Sequence, residues 1–128
     1  MVILDTQTLL WHASESNKLS ENAKKSIEAA ESLGVSTISA WEIGMLVQKG
    51  RLSLVHDVSE WIELAERLPK LEWIQVDTKI AVLSTRLPGS FLGDPADRIV
   101  TATAMSRGAT LITADRILKE YNHVRTIW

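Results

Sequence analysis

Short apolar runs alternate with longer amphipathic segments along the whole chain, and this alternation is the strongest constraint on its fold. Runs that favour buried strands are predicted at residues 2–4, 35–38, 71–76, 110–112 and 124–127. Segments with helical spacing lie between them and are predicted at residues 6–12, 21–32, 39–47, 57–68, 77–87, 95–107 and 114–121. Strands separated by helices need crossover connections, which favour parallel pairing. The sequence therefore predicts an α/β fold, a three-layer α/β/α sandwich with a mostly parallel central sheet.

The composition is that of a folded protein with a sizeable core. The chain has 128 residues, of which 45% are hydrophobic and 23% charged, and we expect residues 1–128 to form a single domain. It contains no cysteine, which excludes disulfides, thiol nucleophiles and thiolate metal sites. No apolar run approaches the ~18 residues that span a bilayer, and the opening MVILD is too short and too acidic for a signal peptide. We therefore expect a cytoplasmic protein.

The charge balance argues against a passive nucleic-acid binder. Fourteen Lys and Arg against sixteen Asp and Glu give a net charge of -2, without the broad basic field that such proteins carry. Acids that are committed to binding cations would no longer oppose phosphate groups. The composition thus permits a nucleic-acid substrate without arguing for one.

Four acidic residues fall at positions that a parallel sheet would bring together. Asp5 follows the first predicted strand directly, and Asp115 follows the fourth after two intervening residues. Glu42 and Asp97 each lie in the first turn of a predicted helix. Because parallel strands end at one edge of the sheet and the helices after them begin there, we expect these four carboxylates to converge on one cleft.

Each of these acids also has an alternative interpretation as an ordinary helix-capping residue. Asp5 and Asp115 are placed to cap the helices that follow them, and Glu42 fits the end of a capping box that begins at Ser39. Against the capping box, most of that helix is apolar, and a buried carboxylate is costly unless something pairs with it. Other residues are assigned to helix ends alone: the N-caps Ser20, Asp57 and Asp77, and the terminating Gly34, Gly50 and Gly108.

The segment GDPADRI, residues 93–99, brings two acids to the start of one helix. Asp94 is a good N-cap and Pro95 suits the first helical position. At about 100° per residue, Asp97 lies within about 20° of Ala104 at the edge of the apolar stripe, whereas Asp94 points further toward solvent. We predict that Asp94 caps the helix and that Asp97 faces inward.

A cluster of carboxylates favours a hard divalent cation. Without a cation the acids repel one another, and at least one would have to keep its proton. Oxygen ligands select Mg²⁺ or Mn²⁺, while the isolated His12, His56 and His123 show no zinc-ligand spacing and are interpreted as surface or loop residues. No Ser-His-Asp arrangement, Walker loop or GxGxxG is present, which argues against serine hydrolases, nucleotide kinases and dinucleotide enzymes.

Four segments in this order resemble the PIN domain family, specifically its VapC-like toxin branch. They are ILDTQTLLW, SAWEIGMLVQKGRL, LPGSFLGDPADRIVTATA and ATLITAD, and together they cover nearly the whole chain. The resemblance implies a metal-dependent nuclease that uses Mg²⁺ or Mn²⁺ and an acidic quartet of Asp5, Glu42, Asp97 and Asp115. It also implies an RNA substrate, a homodimer, and an antitoxin partner whose tail blocks the active cleft.

The chain departs from the family pattern at Gln7, where relatives commonly carry a small hydroxyl residue or Asn. This departure affects how water near Asp5 is organised, and Thr6 is a candidate helper. We hypothesise that Asp5 and Asp97 ligate the ion, while Glu42 and Asp115 complete the site or orient the attacking water.

Three arginines, Arg98, Arg107 and Arg116, lie near the predicted acids in sequence. They are interpreted either as holders of flanking phosphates or as solvated surface charges.

Two other functions are compatible with an α/β fold that has an acid after its first strand. A phosphatase of the haloacid dehalogenase type would need a second Asp where Gln7 stands. A non-catalytic regulatory or interaction module of receiver type would need a phosphoacceptor Asp with a nearby Lys. Metal-dependent RNA cleavage separates the nuclease from both.

The chain has five tryptophans. Trp11, Trp41 and Trp61 are predicted to serve the core, since aromatic residues on helix stripes usually do. The alternative is that one or two of them form a groove for a partner helix. Trp128, if exposed, would be a candidate for a dimer contact.

Overall fold

The computed structural model describes all of residues 1–128 and contains five strands and seven helices. The strands are β1 (Val2–Leu4), β2 (Leu33–Ser36), β3 (Leu71–Ile74), β4 (Thr110–Ile112) and β5 (Thr126–Ile127). The helices are α1 (Thr6–Ala13), α2 (Glu21–Ala29), α3 (Ile38–Gln48), α4 (Val58–Ala65), α5 (Thr78–Ser84), α6 (Pro95–Arg107) and α7 (Arg116–Glu120). None of the helices combines the length and the hydrophobicity that crossing a bilayer requires.

The five strands form one parallel sheet in the order β3-β2-β1-β4-β5. The chain builds outward from β1 through β2 to β3, and then returns to the other side of β1 to add β4 and β5. The strand order therefore reverses between β1 and β4, where a crevice opens beyond their carboxyl ends. The predicted α/β class and parallel sheet are confirmed.

Apolar side chains bury both faces of the sheet, because successive residues of a strand point to opposite faces. Ile3 and Leu111 belong to one core cluster, with residues of α5, α6 and α7. Leu4 and Ile112 belong to the other, with residues of α1, α2 and α3. All four are at most 1% exposed. The central strands β1 and β4 thus bury apolar side chains on both faces of the sheet, and the helices form the two outer layers.

The second strand begins earlier than predicted, and the helix before it ends earlier. Gly34 does not end a helix; it lies inside β2, because Val2 and Ile3 of β1 pair with Leu33 and Gly34. A Cβ at position 34 would lie 2.7 Å from Cδ1 of both Ile3 and Ile74. Glycine is therefore needed here for close packing on the sheet.

Most of the predicted capping assignments are confirmed. The side chains of Ser20, Asp57, Asp77 and Asp94 each accept a backbone N–H in the first turn of their helix. Gly108 ends α6 with a φ of 56°, in the left-handed region. The third and fifth strands and α7 are shorter than predicted.

The tryptophans divide between core and surface. Trp11 and Trp61 are partly buried against the cluster beneath α1 to α3, and the rings of Trp11 and Trp128 lie 5.6 Å apart. Trp41 is 60% exposed, so its prediction as a core residue is wrong. Ser39 and Ile43, two residues to either side, face the interior and turn Trp41 outward.

Candidate active site

A cavity of about 230 Å³ opens where β1 and β4 end and where α3 and α6 begin. It brings together all four acids predicted from the sequence. Five of its lining residues are carboxylates and none is Lys, Arg or His; the lining is Asp5, Thr6, Gln7, Leu10, Glu42, Leu46, Asp94, Asp97, Val100 and Asp115. The cavity is thus strongly negative and without a cationic side chain.

Asp5 is held rigidly at the end of β1 and is only 8% exposed. Its Oδ1 accepts the backbone N–H of Thr8 at 2.8 Å, which caps α1, as the alternative interpretation allowed. Its Oδ2 accepts a hydrogen bond from the hydroxyl of buried Thr113. Capping and cleft lining are therefore compatible, because each carboxylate oxygen keeps a second lone pair.

Glu42 reaches the cleft from the second turn of α3 and does not close a capping box. Ser39 is buried inside the helix, and the N-cap position is Thr37, which makes no side-chain capping bond. Oε1 of Glu42 instead accepts the hydroxyl of Thr6 at 2.6 Å. The same Thr6 oxygen lies 2.8 Å from Oγ of Ser39, so two buried hydroxyls set the position of this carboxylate.

Asp97 and Asp94 share the N-terminus of α6. Oδ1 of Asp94 accepts the backbone N–H of Asp97 at 2.8 Å, which confirms its predicted capping role. Asp94 also lines the cavity, a position beyond its predicted role as a cap. Asp97 is partly buried and lines the same cavity, in agreement with its predicted inward orientation.

Asp115 stands at the N-cap of α7, where its Oδ1 accepts the backbone N–H of Leu118 at 3.1 Å. Its own backbone N–H donates to Oγ1 of Thr113 at 3.0 Å. Thr113 therefore links Asp115 to Asp5 across the gap between β4 and β1. No role was predicted for Thr113 from the sequence, because its partner Asp5 lies 108 residues away in the chain.

The acids disturb one another's ionisation. Burial raises the pKa of Asp5 despite hydrogen bonds that lower it. Burial also raises the pKa of Glu42, with added repulsion from Asp94 and Asp5. Burial, and then the charges of Asp94, Asp115 and Glu42, raise the pKa of Asp97 to about 7. Negative charge in this cleft thus lacks a compensating partner from the protein.

The lining fits a hard cation that keeps part of its water shell better than one bound by protein ligands alone. No three acidic or histidine side chains lie close enough together to hold one metal ion between them. Mg²⁺ usually keeps several waters and takes only one or two carboxylates from the protein. Exclusively oxygen donors, raised carboxylate pKa values and room for water agree with that mode of binding.

The three arginines near the acids in sequence have different positions. Arg98 donates to the backbone oxygens of Ser84 at 3.3 Å and Phe91 at 3.2 Å, and its guanidinium carbon lies 5.4 Å from the centre of the Phe91 ring. It is committed to the loop before α6. Arg107 lies ten residues beyond Asp97 on α6, about 15 Å along the helix, and is exposed, which agrees with its interpretation as a solvated surface charge.

Arg116 is the first residue of α7 and follows Asp115 directly, so it remains at the rim. Its Nε lies 3.9 Å from Oε1 of Glu120, and its side chain is 84% exposed.

The histidines are separate from the site. His56 and His123 are exposed in loops, as predicted. His12 lies in the last turn of α1, so it is not a loop residue; it is partly exposed, and burial lowers its pKa. None of the three lines the acidic cavity.

Comparison with known proteins relates this fold and site to one family. Residues 2–124 match the PIN domain family. Ribonuclease VapC22 of Mycobacterium tuberculosis is 37% identical over 130 residues, covering 99% of this chain and 98% of that protein. The fold also matches a toxin-antitoxin complex from Klebsiella pneumoniae, with 19% identity, a TM-score of 0.68, and 100% of this chain and 97% of that chain covered.

A DNA-bound VapBC structure from Salmonella typhimurium matches with 21% identity and a TM-score of 0.69, covering 99% of this chain and 98% of that one. At these identities the solved structures establish the fold alone. The match over residues 2–124 and the 37% identical relative establish the family as well as the fold. This chain belongs to the PIN domain family.

Proposed function

We propose that this protein is a divalent-metal-dependent endoribonuclease and the toxin of a toxin-antitoxin pair. The observation that carries the proposal is the cavity between β1 and β4, lined by five carboxylates and by no cationic side chain. A phosphodiester can approach such a cavity only when a cation neutralises it. Membership of the PIN family and the 37% identical ribonuclease support RNA as the substrate.

Asp5 and Asp97 are proposed to hold the ion, and Glu42 and Asp115 to complete the site or orient the attacking water. Asp5 is fixed by Thr8 and Thr113, so its position changes little when an ion binds. A bound Mg²⁺ or Mn²⁺ supplies Lewis-acid stabilisation of the phosphate and lowers the pKa of the attacking water.

The partner is proposed to be an antitoxin protein that covers the cleft. Structural relatives of this chain were solved as a toxin-antitoxin complex and as VapBC, which supports a partner of the same kind. The homodimer that the family resemblance implies belongs to the same proposal and is measured directly by light scattering of the purified protein.

The function is tested with purified protein and single-stranded RNA in Mg²⁺, in Mn²⁺ and in EDTA. We expect cleavage with either ion and none in EDTA. Asp97→Asn should abolish cleavage, whereas Asp57→Asn, which changes a capping aspartate of α4 outside the cleft, should retain it. Cleavage that persists in EDTA, or full activity of Asp97→Asn, would overturn the proposal.

The two alternative functions receive no support from the cavity. Gln7 lines it where a haloacid dehalogenase-type phosphatase would need its second aspartate. A receiver-type module would need a lysine beside its phosphoacceptor, and no lysine is among the lining residues.

A further inference from the structure

We propose that one face of α3, formed by Trp41, Met45 and Lys49, is a track that holds single-stranded RNA beside the acidic cleft. A base stacks on Trp41, and a phosphate lies near Lys49. The proposal rests on the ribonuclease function proposed above and adds the residues that grip the substrate outside the cleft.

The exposure of Trp41 is the first observation. Its side chain is 60% exposed, on a helix whose residues Ser39 and Ile43 are fully buried. A large aromatic ring held in solvent by a rigid helix contributes little to the core. Such a ring is a stacking surface for any base, and stacking of this kind is how proteins hold single strands without reading their sequence.

The second observation is the position of this face relative to the cleft. Glu42 and Leu46, one turn apart on α3, both line the acidic cavity. At about 100° per residue, Trp41, Met45 and Lys49 form the adjacent stripe on the side away from the core. Around the helix axis, Lys49, Met45 and Trp41 lie about 20°, 60° and 100° from Glu42 on the same side, so this face borders the cleft and a strand that leaves over Glu42 passes along it.

The third observation concerns charge. No cationic side chain lines the cleft, so the phosphates that flank the cleaved bond must be neutralised elsewhere. Lys49 and Arg51 are exposed at the end of α3. Lys49 lies eight residues from Trp41, about 12 Å along the helix. A stacked strand covers that distance with about three to four nucleotides of ~3.4 Å each.

An exposed tryptophan also suits a contact between two copies of this chain. The variants below distinguish RNA from a second copy as the partner of this face. Trp41→Leu keeps apolar area at the position but removes the aromatic face, whereas Trp41→Phe keeps an aromatic face. Lys49→Ala removes the cation at the end of the track. Lys25→Ala is its matched control, because Lys25 is an exposed lysine of α2.

Affinity is measured by fluorescence anisotropy of a labelled single-stranded RNA in the inactive Asp97→Asn background, and KM and kcat are measured in the active protein. We expect Trp41→Leu to raise Kd and KM by about 5- to 100-fold with little change in kcat. Trp41→Phe should restore most of the affinity. Lys49→Ala should reduce the slope of log K against log salt by about 0.7, and Lys25→Ala should leave it unchanged.

Equal RNA affinity in wild type and Trp41→Leu would overturn the track while leaving the ribonuclease intact. A change of oligomeric state in Trp41→Leu, seen by light scattering, would also overturn it and would assign the face to a second copy. Absence of RNA cleavage by the wild type would instead overturn the proposed function itself, so the two failures are distinguishable.

Discussion

At the scale of single residues, the negative charge of Asp97 is expected to lower the stability of the metal-free protein and to support its function. It is proposed to bind the metal, yet burial and three neighbouring carboxylates raise its pKa to about 7. We predict that Asp97→Asn raises the free energy of unfolding in metal-free buffer at pH 8 by about 1 kcal/mol, since solvent screens this partly buried group. That corresponds to an increase in Tm of about 3–5 °C, measured by thermal denaturation.

Asp57→Asn is the control for the Asp97 substitution, because it removes the charge of an aspartate near a helix N-terminus outside the cleft. Asn caps a helix as well as Asp does, so stability should fall only slightly, through the lost attraction between the Asp57 charge and the helix dipole. A drop in Tm for Asp97→Asn as well would show that the carboxylate is stabilised in the cleft and not repelled there.

The hydroxyl of Thr6 is predicted to be essential for the position of Glu42. Thr6→Val keeps the shape of the side chain but removes the hydrogen bond to Glu42 and leaves buried Ser39 without its partner. We expect stability to fall by about 1–3 kcal/mol and metal affinity or activity to fall about 10- to 100-fold. Thr6→Ser should recover most of both, as measured by denaturation, metal titration and RNA cleavage. Equal activity of the two variants would contradict the prediction.

The four acids were predictable from the sequence because strand ends and first helical turns are local features. The hydroxyl residues that hold them were not, with the exception of Thr6 as a candidate helper. Ser39 was assigned to a capping box, and Thr113 was not singled out, because their partners lie 33 and 108 residues away in the chain. Only the folded sheet brings those groups together.

At the scale of elements, the loop before α6 determines where that helix begins. Arg98 ties the loop to the helix through the Ser84 and Phe91 carbonyls. The Phe91 ring packs edge-on against the Tyr121 ring, with 4.9 Å between the ring centres. The Tyr121 hydroxyl donates to the Pro88 carbonyl at 2.6 Å. The first turn of α6, with its two acids, is thereby joined to the chain that follows α7.

Gly93 is the tightest point of this loop. A Cβ there would lie 2.5 Å from Cε1 of Phe91 and 2.8 Å from Cβ of Asp97. We predict that Gly93→Ala lowers stability by about 1–3 kcal/mol and, because it displaces Asp97, lowers kcat by up to about 100-fold. Denaturation and RNA cleavage measure the two effects.

Gly44→Ala is the matched control for this substitution. Its Cβ would meet nothing closer than a Val58 methyl at 4.0 Å, in the middle of α3. It should stabilise the protein by about 0.5–1 kcal/mol without changing cleavage. A similar loss in both variants would mean that the loop is not specifically constrained.

At the scale of the whole molecule, the order and type of the elements were predictable, but several of their boundaries were not. Alternation of apolar runs and helical segments specified the parallel sheet. The start of β2 at Leu33 depends on pairing with β1, which no local pattern contains. Trp41 was placed in the core because aromatic residues usually are, whereas the fold turns its side of α3 toward solvent.

The acidic cleft should also control how the stability of the whole protein depends on pH and on metal. In the folded protein the pKa of Asp97 is raised from 3.8 to about 7, and those of Asp5 and Glu42 are raised in the same direction. A raised pKa means that the folded state binds more protons than the unfolded chain between pH 4 and 7, so stability falls as pH rises through that range.

We therefore predict that the Tm in EDTA decreases between about pH 5 and pH 8, and that Asp97→Asn flattens this decrease. A divalent cation replaces the protons as the compensating charge, so Mg²⁺ or Mn²⁺ should raise the Tm strongly at pH 8 and weakly at pH 5. Thermal denaturation across this pH range, with and without each ion, measures both effects. A Tm that is constant from pH 5 to 8, or that responds equally to Mg²⁺ at both ends, would mean that the carboxylates are neither crowded nor engaged by the ion.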